Sequence, residues 1–183
     1  METTFTLQSV QKVIGVEETQ DTHLLARELA ATQEDATLIL ACNQTAAHAV
    51  TGEKLPSGEG GVYFTLILKP VRPIRAEKLS RALDYALGDV LAQIFELNVK
   101  QGPQNSVLVW DKSSRSYKKI AVAYTEQTGD AWLLSGVVAL GNCLNASTAK
   151  EWTALQKILG AQTSKELFLD AVLDNFWKEY AFI

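Results

Sequence analysis

Short apolar runs alternate along the chain with polar turns and with helix-period stripes. The apolar runs are rich in β-branched and aromatic residues, which is typical of strands. They lie, in chain order, at residues 12–17, 37–42, 62–68, 98–100, 107–110, 117–126 and 131–140. Because the last three runs are joined by short polar turns, we predict that they form an antiparallel meander.

The helix-period stripes predict helices before, between and after these strands. The first begins at about Thr22, where Asp21 or Thr22 can accept hydrogen bonds from the free N–H groups of the first turn. The longest stripe, 76–97, predicts one amphipathic helix that packs against the sheet. Two capping-box patterns, at Thr148 and Thr163, predict two helices in the tail.

Composition narrows the class of protein. A chain of 183 residues predicts one domain, with a core at about 12–145 and a helical tail at 147–183. The net charge of -4, without a basic block, argues against nucleic acid as a partner. No signal-peptide pattern and no membrane-length apolar run is found, so we expect a cytoplasmic protein, monomeric or homodimeric. Cys42 and Cys143 lie in apolar surroundings and are expected to be buried thiols.

A glycine-rich loop separates the second and third predicted strands. Gly52, Gly58, Gly60 and Gly61 allow the backbone to approach another group closely. Loops of this length without helices or strands of their own are uncommon, and they often have a function. The pattern therefore predicts a loop that closes over a ligand.

This stretch resembles the ligand loop of the biotin protein ligases, which are related to the lipoate ligases. The family pattern Q-T-A-G-R-G-R-R-G-R-x-W-x-S-P-x-G-G-L-Y-F-S aligns with it without a gap. The matching residues are Gln44, Thr45, Ala46, Gly52, Ser57, Gly60, Gly61, Tyr63 and Phe64. The family's arginines fall on His48, Val50, Thr51 and Glu53, and its tryptophan falls on Leu55. The resemblance implies an α+β fold, with a mixed, largely antiparallel β-sheet and helices packed on one side.

A second motif lies in the predicted strand 117–126. Lys119 and Glu126 match the family pattern (R/K)-K-x-x-G-(I/L)-L-x-E, in which the lysine contacts the carboxylate and phosphate region of an adenylate. Val122 replaces the glycine of that pattern. The resemblance implies that Lys119 is the catalytic cation, and the alternative is a solvated strand lysine.

Two further family motifs are matched in part. The K-W-P-N-D motif, near metal and phosphate in the family, matches at Lys100 or at Asn105 with Ser106, and its tryptophan and aspartate are missing. An ordinary polar turn is the alternative. The strand end G-I-G-I-N-V-N keeps Gly141 and Asn145, which would close the sheet behind the ligand.

The start of the first helix also carries a partial match. Asp21, Thr22 and His23 occupy the family's S-T-N positions beside the ligand, and Thr22 alone is identical. A simple helix cap remains an equal interpretation. His23 and His48 would flank the pocket, but two histidines without a third ligand at metal-binding spacing are weak evidence, and no metal site is predicted.

The resemblance implies a two-step reaction. Biotin would attack ATP to give biotinyl-AMP, and a lysine of a carrier domain of a carboxylase subunit would then take the biotinyl group, with Mg²⁺ assisting. Catalysis of this kind depends on cations and placement. Two lost arginine–phosphate contacts cost about 3–6 kcal/mol, or roughly 10²- to 10⁴-fold in affinity. A non-catalytic member that binds an acyl or biotinyl group or a carrier protein is therefore the alternative, and a lipoate or octanoate ligase is a further one.

Overall fold

The computed structural model describes residues 9–48, 52, 54–144, 148 and 150–183. Within these residues, seven strands form one sheet in the order β1-β2-β3-β7-β6-β5-β4. The strands are β1 (Lys12–Thr19), β2 (Thr37–Gln44), β3 (Gly61–Leu68), β4 (Val99–Gln101), β5 (Ser106–Asp111), β6 (Ser116–Thr128) and β7 (Ala131–Ala139). Strands β1 and β2 are parallel, whereas every other neighbouring pair is antiparallel. The predicted strands and the β5–β6–β7 meander are confirmed.

Four α-helices are described, with bounds α1 (Thr22–Leu29), α2 (Ala76–Asp89), α3 (Leu155–Leu159) and α4 (Lys165–Tyr180). Asp21 caps α1, since its carboxylate accepts a hydrogen bond from the backbone N–H of His23 at 2.7 Å. The prediction of a single helix over 76–97 was too long. The chain passes from α2 into a π-helical turn, Val90–Ile94, and the left-handed backbone of Glu96, with φ of 53°, ends the helical run.

The helices cover the sheet unequally. Helices α2 and α4 pack on one face, where Phe64 and Leu66 meet Leu83, Phe168 and other buried residues. Strand residues alternate between faces, so Ile67 points the opposite way and packs with Ala26 of α1. The expected one-sided packing therefore holds for α2 and α4, while α1 lies on the other face, named here the α1 face.

The tail departs from the capping-box prediction. No helix begins at Thr148; its carbonyl oxygen accepts from the N–H groups of Glu151 and Trp152 in a turn. Residues 150–154, named here the tail segment, then run beside β6, where the Lys119 N–H donates to the Glu151 carbonyl at 2.9 Å. The pattern failed because the sheet takes the hydrogen bonds that a helix would have used.

The second capping box is displaced by one residue. The N-cap of α4 is Ser164, not Thr163, and its hydroxyl accepts from the Leu167 N–H at 3.3 Å. Serine and threonine are both good N-caps, so the choice between the two adjacent residues depends on the path of the preceding loop.

The prediction for the two cysteines is half wrong. Cys143 is buried, and burial raises the pKa of its thiol, whereas Cys42 is exposed. Cys42 lies near the end of β2, beside the first turn of α4, where the packed layer of helix on sheet is ending.

None of the described helices is both long and apolar enough to cross a bilayer.

Candidate functional site

The α1 face brings together most of the residues that the sequence singles out. They come from the start of α1, the end of β2, the start of β3 and the middle of β6. Two neighbouring groups can be distinguished there. The polar cluster consists of Thr22, His23, Gln44, Thr65, Glu126 and Ser135. The apolar cluster consists of Ala41, Ala47, Leu55, Tyr63, Val122, Tyr124, Val137, Ala139, Cys143, Trp152 and Ala154.

His23 is the centre of the polar cluster. Its Nδ1 lies 2.8 Å from Ser135 Oγ, and its Nε2 lies 2.9 Å from Glu126 Oε2. Arg27 donates to the same carboxylate oxygen at 2.6 Å. Burial by itself would raise the pKa of Glu126, but the hydrogen bonds from Arg27 and His23 outweigh it and hold that pKa below its usual value. Glu126 is therefore ionised, and it favours the tautomer in which His23 Nε2 carries the proton.

The chain of hydrogen bonds continues through hydroxyl groups. Ser135 Oγ lies 2.7 Å from Thr65 Oγ1, and Thr65 Oγ1 lies 3.1 Å from Thr22 Oγ1. Carboxylate, imidazole and serine hydroxyl follow one another as in a nucleophilic triad. However, Ser135 and Thr65 are both 0% exposed. A hydroxyl without access to substrate cannot attack it, so the chain orients and stabilises the start of α1.

Sequence reasoning missed Thr65 and Ser135. They sit on neighbouring strands, paired directly opposite each other in the β3–β7 register. His23 and Ser135 are 112 residues apart in the chain. No local spacing marks such a contact, although a hydroxyl residue in the middle of an otherwise apolar strand was a signal that could have identified both.

Gln44 has one half of its amide committed and the other half unpaired. Its Oε1 accepts from the backbone N–H of Thr22 at 2.7 Å, and the residue is 1% exposed. Its Nε2 is buried without a hydrogen-bond partner among the residues described. Leaving a buried donor unpaired costs about 1–3 kcal/mol. The amide N–H is thus positioned to donate to an oxygen that none of the described residues supplies.

Tyr63 lies folded along its own strand. Its ring occupies the space above Gly61, where an added Cβ would approach the ring to 2.2 Å, and its hydroxyl donates to the Gly58 carbonyl at 2.8 Å. Burial, with a smaller effect of the neighbouring Cys143, raises the pKa of Tyr63 well above its usual value. The Tyr63 ring therefore fits in this position only because residue 61 is a glycine, and together the two residues form the floor of the site.

Large side chains fill the apolar cluster. Tyr124, Trp152 and Leu55 are 8%, 3% and 2% exposed. The ring centroid of Tyr124 lies 5.0 Å from that of His23, so this cluster begins where the polar cluster ends. Val122, in place of the family's glycine, is also part of it. The surface that the resemblance assigns to a ligand is packed with the chain's own side chains.

The predicted catalytic residue Lys119 lies at the other end of the apolar cluster. Its Nζ is 3.4 Å from Glu151 Oε2, and its side chain is 14% exposed. Its carbonyl also accepts from the N–H of Thr153 at 2.8 Å, so the tail segment covers the lysine. The carboxylate beside Lys119 is at the surface, since the Glu151 side chain is 70% exposed.

Lys100 and Asn105, the two alternative matches to K-W-P-N-D, have different surroundings. The register pairs Lys100 with Leu108 and Leu108 with Lys119, so the two lysines share a row about 10 Å apart across two strand spacings. Lys100 Nζ sits over the Tyr117 ring, 3.9 Å from its centroid. Asn105 lies in a short turn, with φ of 52°, and lines a cavity beside α2.

The loop after β2 is anchored by its backbone. The N–H groups of Thr45 and Ala46 donate to the carbonyls of Thr19 and Gln20. His48 is exposed, and its Nδ1 lies 2.7 Å from the Ala46 carbonyl oxygen. The predicted residue Asn145 lies outside the described residues, as do three family arginine positions, Val50, Thr51 and Glu53.

Gly60 and Gly61, at the start of β3, lie next to the residues that follow β7. Gly141 donates its N–H to the Gly60 carbonyl at 2.6 Å. An open cavity of about 310 Å³ lies beside this contact. Its lining consists of Glu59, Gly60, Leu140, Gly141, Asn142, Gln156, Gln162, Thr163 and Lys165.

Gly60→Ala is expected to destabilise the protein more than Gly58→Ala does. Both glycines have positive φ, 93° and 101°, but only at Gly60 would a Cβ meet backbone, lying 2.6 Å from the Asn142 nitrogen. The backbone strain is shared, so the extra overpacking should cost about 1–3 kcal/mol. Urea denaturation of the two variants measures this difference, and equal losses would contradict the close approach of the two loops.

No group of three His, Cys, Asp or Glu side chains is placed to hold a metal ion in the described part of the chain. Among the described residues, the α1 face thus offers the buried Gln44 amide, Lys119 beside an exposed carboxylate, and a packed apolar surface. A neutral group with an oxygen acceptor fits these residues better than a polyphosphate does.

Comparison with known proteins identifies solved structures with the same fold. No protein-family model matches the sequence. The biotin protein ligase from Aquifex aeolicus in complex with biotin and ATP superposes with a TM-score of 0.81, at 21% identity, over 93% of this chain and 71% of that one. The Leishmania major biotin protein ligase in complex with biotinyl-5-AMP superposes with a TM-score of 0.72, at 18% identity, over 91% of this chain and 74% of that one.

A lipoate ligase is also similar. The bipartite lipoate protein ligase from Thermoplasma acidophilum gives a TM-score of 0.66, at 14% identity, over 94% of this chain and 84% of that one. The chain therefore has the fold of a biotin/lipoate ligase catalytic domain, which confirms the predicted fold class.

Proposed function

We propose that this protein, built on the biotin/lipoate ligase fold, is a binding protein that takes a biotinyl or related acyl amide without activating it. The observation that carries the proposal is Gln44, whose buried Nε2 has no hydrogen-bond partner among the described residues. Its Oε1 is held by the Thr22 N–H, so the free N–H has a fixed direction. A carbonyl or ureido oxygen is the group that this donor would bind.

The cationic residues of the site argue against nucleotide activation. Adenylation requires that the charge of ATP be neutralised during the reaction. In the aligned loop the family's arginines are replaced by His48, Val50, Thr51 and Glu53. Lys119, which remains, is paired with Glu151. No arginine stands at the matched positions to help Lys119 bind the phosphates of ATP.

Ligand entry involves two side chains that close the apolar cluster from outside the sheet. Leu55 comes from the loop between β2 and β3, and Trp152 comes from the tail segment. An apolar ring or acyl chain would replace the contacts that these two side chains make, whereas a charged phosphate would not. A neutral ligand with an amide or ureido group satisfies both the apolar cluster and Gln44.

A thermal-shift panel tests the proposal. Binding to the native state raises the melting temperature by mass action, so biotinamide is expected to raise it and ATP with Mg²⁺ is not. Gln44→Leu should abolish the shift, while Gln127→Leu, at an exposed position of β6, should keep it. Lipoamide and octanamide in the same panel distinguish the acyl group.

An active ligase is the result that would overturn the proposal. Recombinant protein given ATP, Mg²⁺, biotin and a biotin carrier domain would then form biotinyl-AMP and biotinylated carrier. Lys119 would be the residue that meets the adenylate, and Lys119→Ala would abolish the product. We expect no product from the folded wild-type protein.

A further inference from the structure

A second cavity lies away from the α1 face. It has a volume of about 550 Å³ and opens beside the first half of α2, next to β4 and the short turn Pro103–Asn105. Glu77, Ser80, Asp84 and Tyr85 of α2 line one side, and Gln101 and Asn105 line the other. This cavity belongs to the opposite face of the sheet from Gln44, because α2 packs on the face opposite α1.

Asp84 is the unusual residue of this cavity. It is 8% exposed, and its Oδ1 has no hydrogen-bond partner among the described residues. Burial raises the pKa of its carboxyl group to about 6. A buried carboxylate is normally paired or fully hydrogen-bonded, because desolvation strongly disfavours its charge.

The neighbouring polar groups do not relieve this carboxylate. Ser80 Oγ is 2.6 Å from Thr125 Oγ1, and Gln101 Nε2 donates to the backbone carbonyl of Asp84 rather than to its side chain. Arg81 also lines the cavity but makes no ion pair with Asp84 in the structure. Asp84 therefore lines the cavity with its buried Oδ1 unpaired among the described residues.

We propose that this cavity binds a small organic ammonium ion, with the ammonium group on Asp84 and an aromatic or apolar body against Tyr85. The lining carries two carboxylates, Asp84 and Glu77, against one cation, Arg81, so it attracts positive charge. Tyr85 is 48% exposed at the rim and offers a ring face to a cation or an apolar group. The volume exceeds what a single metal ion needs, and one buried carboxylate is too few ligands for Mg²⁺ or Ca²⁺.

The binding should depend on pH with a defined sign. Asp84 is charged above about pH 6 and neutral below it. The other titratable groups of the lining, Glu77, Arg81 and Tyr85, are all on α2, since Gln101 and Asn105 do not titrate. An alkylammonium ion stays protonated across this range, so its affinity should rise by about tenfold from pH 5 to pH 7.5.

Calorimetric titration with phenethylammonium tests the proposal. 2-Phenylethanol serves as the neutral probe of the same shape, and MgCl₂ serves as the inorganic cation. Asp84→Asn should weaken phenethylammonium binding by about 10- to 100-fold, because it removes one charge-assisted hydrogen bond. Asp89→Asn, at an exposed position of the same helix, should leave it unchanged.

The variant also reports on its own folding. Removing an unpaired buried charge is not expected to lower the melting temperature of Asp84→Asn, so a loss of binding can be separated from unfolding. Equal affinity for 2-phenylethanol, unchanged binding by Asp84→Asn, competition by MgCl₂ or no binding at pH 7.5 would each overturn the proposal. None of these results depends on the function proposed for the α1 face.

Discussion

Trp152→Ala is expected to lower the free energy of unfolding by about 3–5 kcal/mol, the usual cost of removing a large buried aromatic side chain. Trp152 is 3% exposed and closes the apolar cluster from the tail segment. Its loss leaves a cavity in the apolar cluster, next to the backbone bridge that joins the tail segment to Lys119. Urea denaturation at neutral pH measures the effect.

Trp110→Ala is the matched control for this substitution. Trp110 is 38% exposed and meets Tyr117 edge-on at the end of β5, so about 1 kcal/mol should be lost. A loss at Trp152 no larger than that at Trp110 would mean that the tail segment does not seal the α1 face. The premise that the site is closed would then fail.

Asp111→Asn is expected to cost about 2–4 kcal/mol, because hydrogen bonds to a buried charged group are among the stronger ones. Asp111 is 3% exposed. It accepts from Ser113 N and Oγ at 2.8 and 2.6 Å and from Lys157 Nζ at 3.0 Å. These contacts join the β5–β6 hairpin to α3 and so hold the tail segment against the sheet.

The effect of Asp111 should disappear in acid. Burial alone would raise the pKa of its carboxyl group, but the bonds from Ser113 and Lys157 outweigh this and hold that pKa well below its usual range. The stabilisation by the Asp111 carboxylate is thus complete above the unfolded-state pKa of about 4, and it is lost as the pH falls toward the folded-state pKa. The difference in stability between wild type and Asp111→Asn should therefore begin to shrink below about pH 4 and vanish toward the folded-state pKa. Asp130→Asn, in an exposed turn, is the control, and a difference independent of pH would contradict the role of the charge.

The two clusters on the α1 face support the proposal that this chain keeps a ligase fold and binds a ligand without activating it. Residues that shape the backbone are retained, as at Gly60 and Gly61 with Tyr63 folded over them. The positions that the family pattern fills with arginine hold His48, Val50, Thr51 and Glu53, and Lys119 Nζ lies 3.4 Å from Glu151 Oε2. The binding proposal and the ammonium-site proposal therefore concern separate surfaces and can be tested in one set of variants.

Local pattern was sufficient wherever the interactions are local. The strands follow from apolar runs bounded by turns, and Asp21 caps α1 as the sequence indicates. The same local rule failed at Thr148, where a capping-box pattern marks a turn instead of a helix. A neighbouring strand, distant in sequence, offered hydrogen bonds that the pattern does not include.

Side-chain contacts across the sheet could not be predicted from the sequence. Cys42 was expected to be buried because its neighbours are apolar, but burial depends on how far α4 extends over β2. Likewise, nothing in the spacing of Glu126, His23 and Ser135 predicts that they form one hydrogen-bonded chain.

The sequence by itself determined the strands and the glycine-rich loop, since these depend on residue type and short-range periodicity, while the mixed sheet and the missing arginines followed from the resemblance to the biotin protein ligases. Only the tertiary structure decided that Trp152 and Leu55 fill the α1 face, that Glu151 lies beside Lys119, and that Gln44 and Asp84 have polar atoms without a partner among the described residues. The physical reason is that packing and charge compensation depend on distances between residues remote in the chain, and a periodic pattern contains no information about those distances.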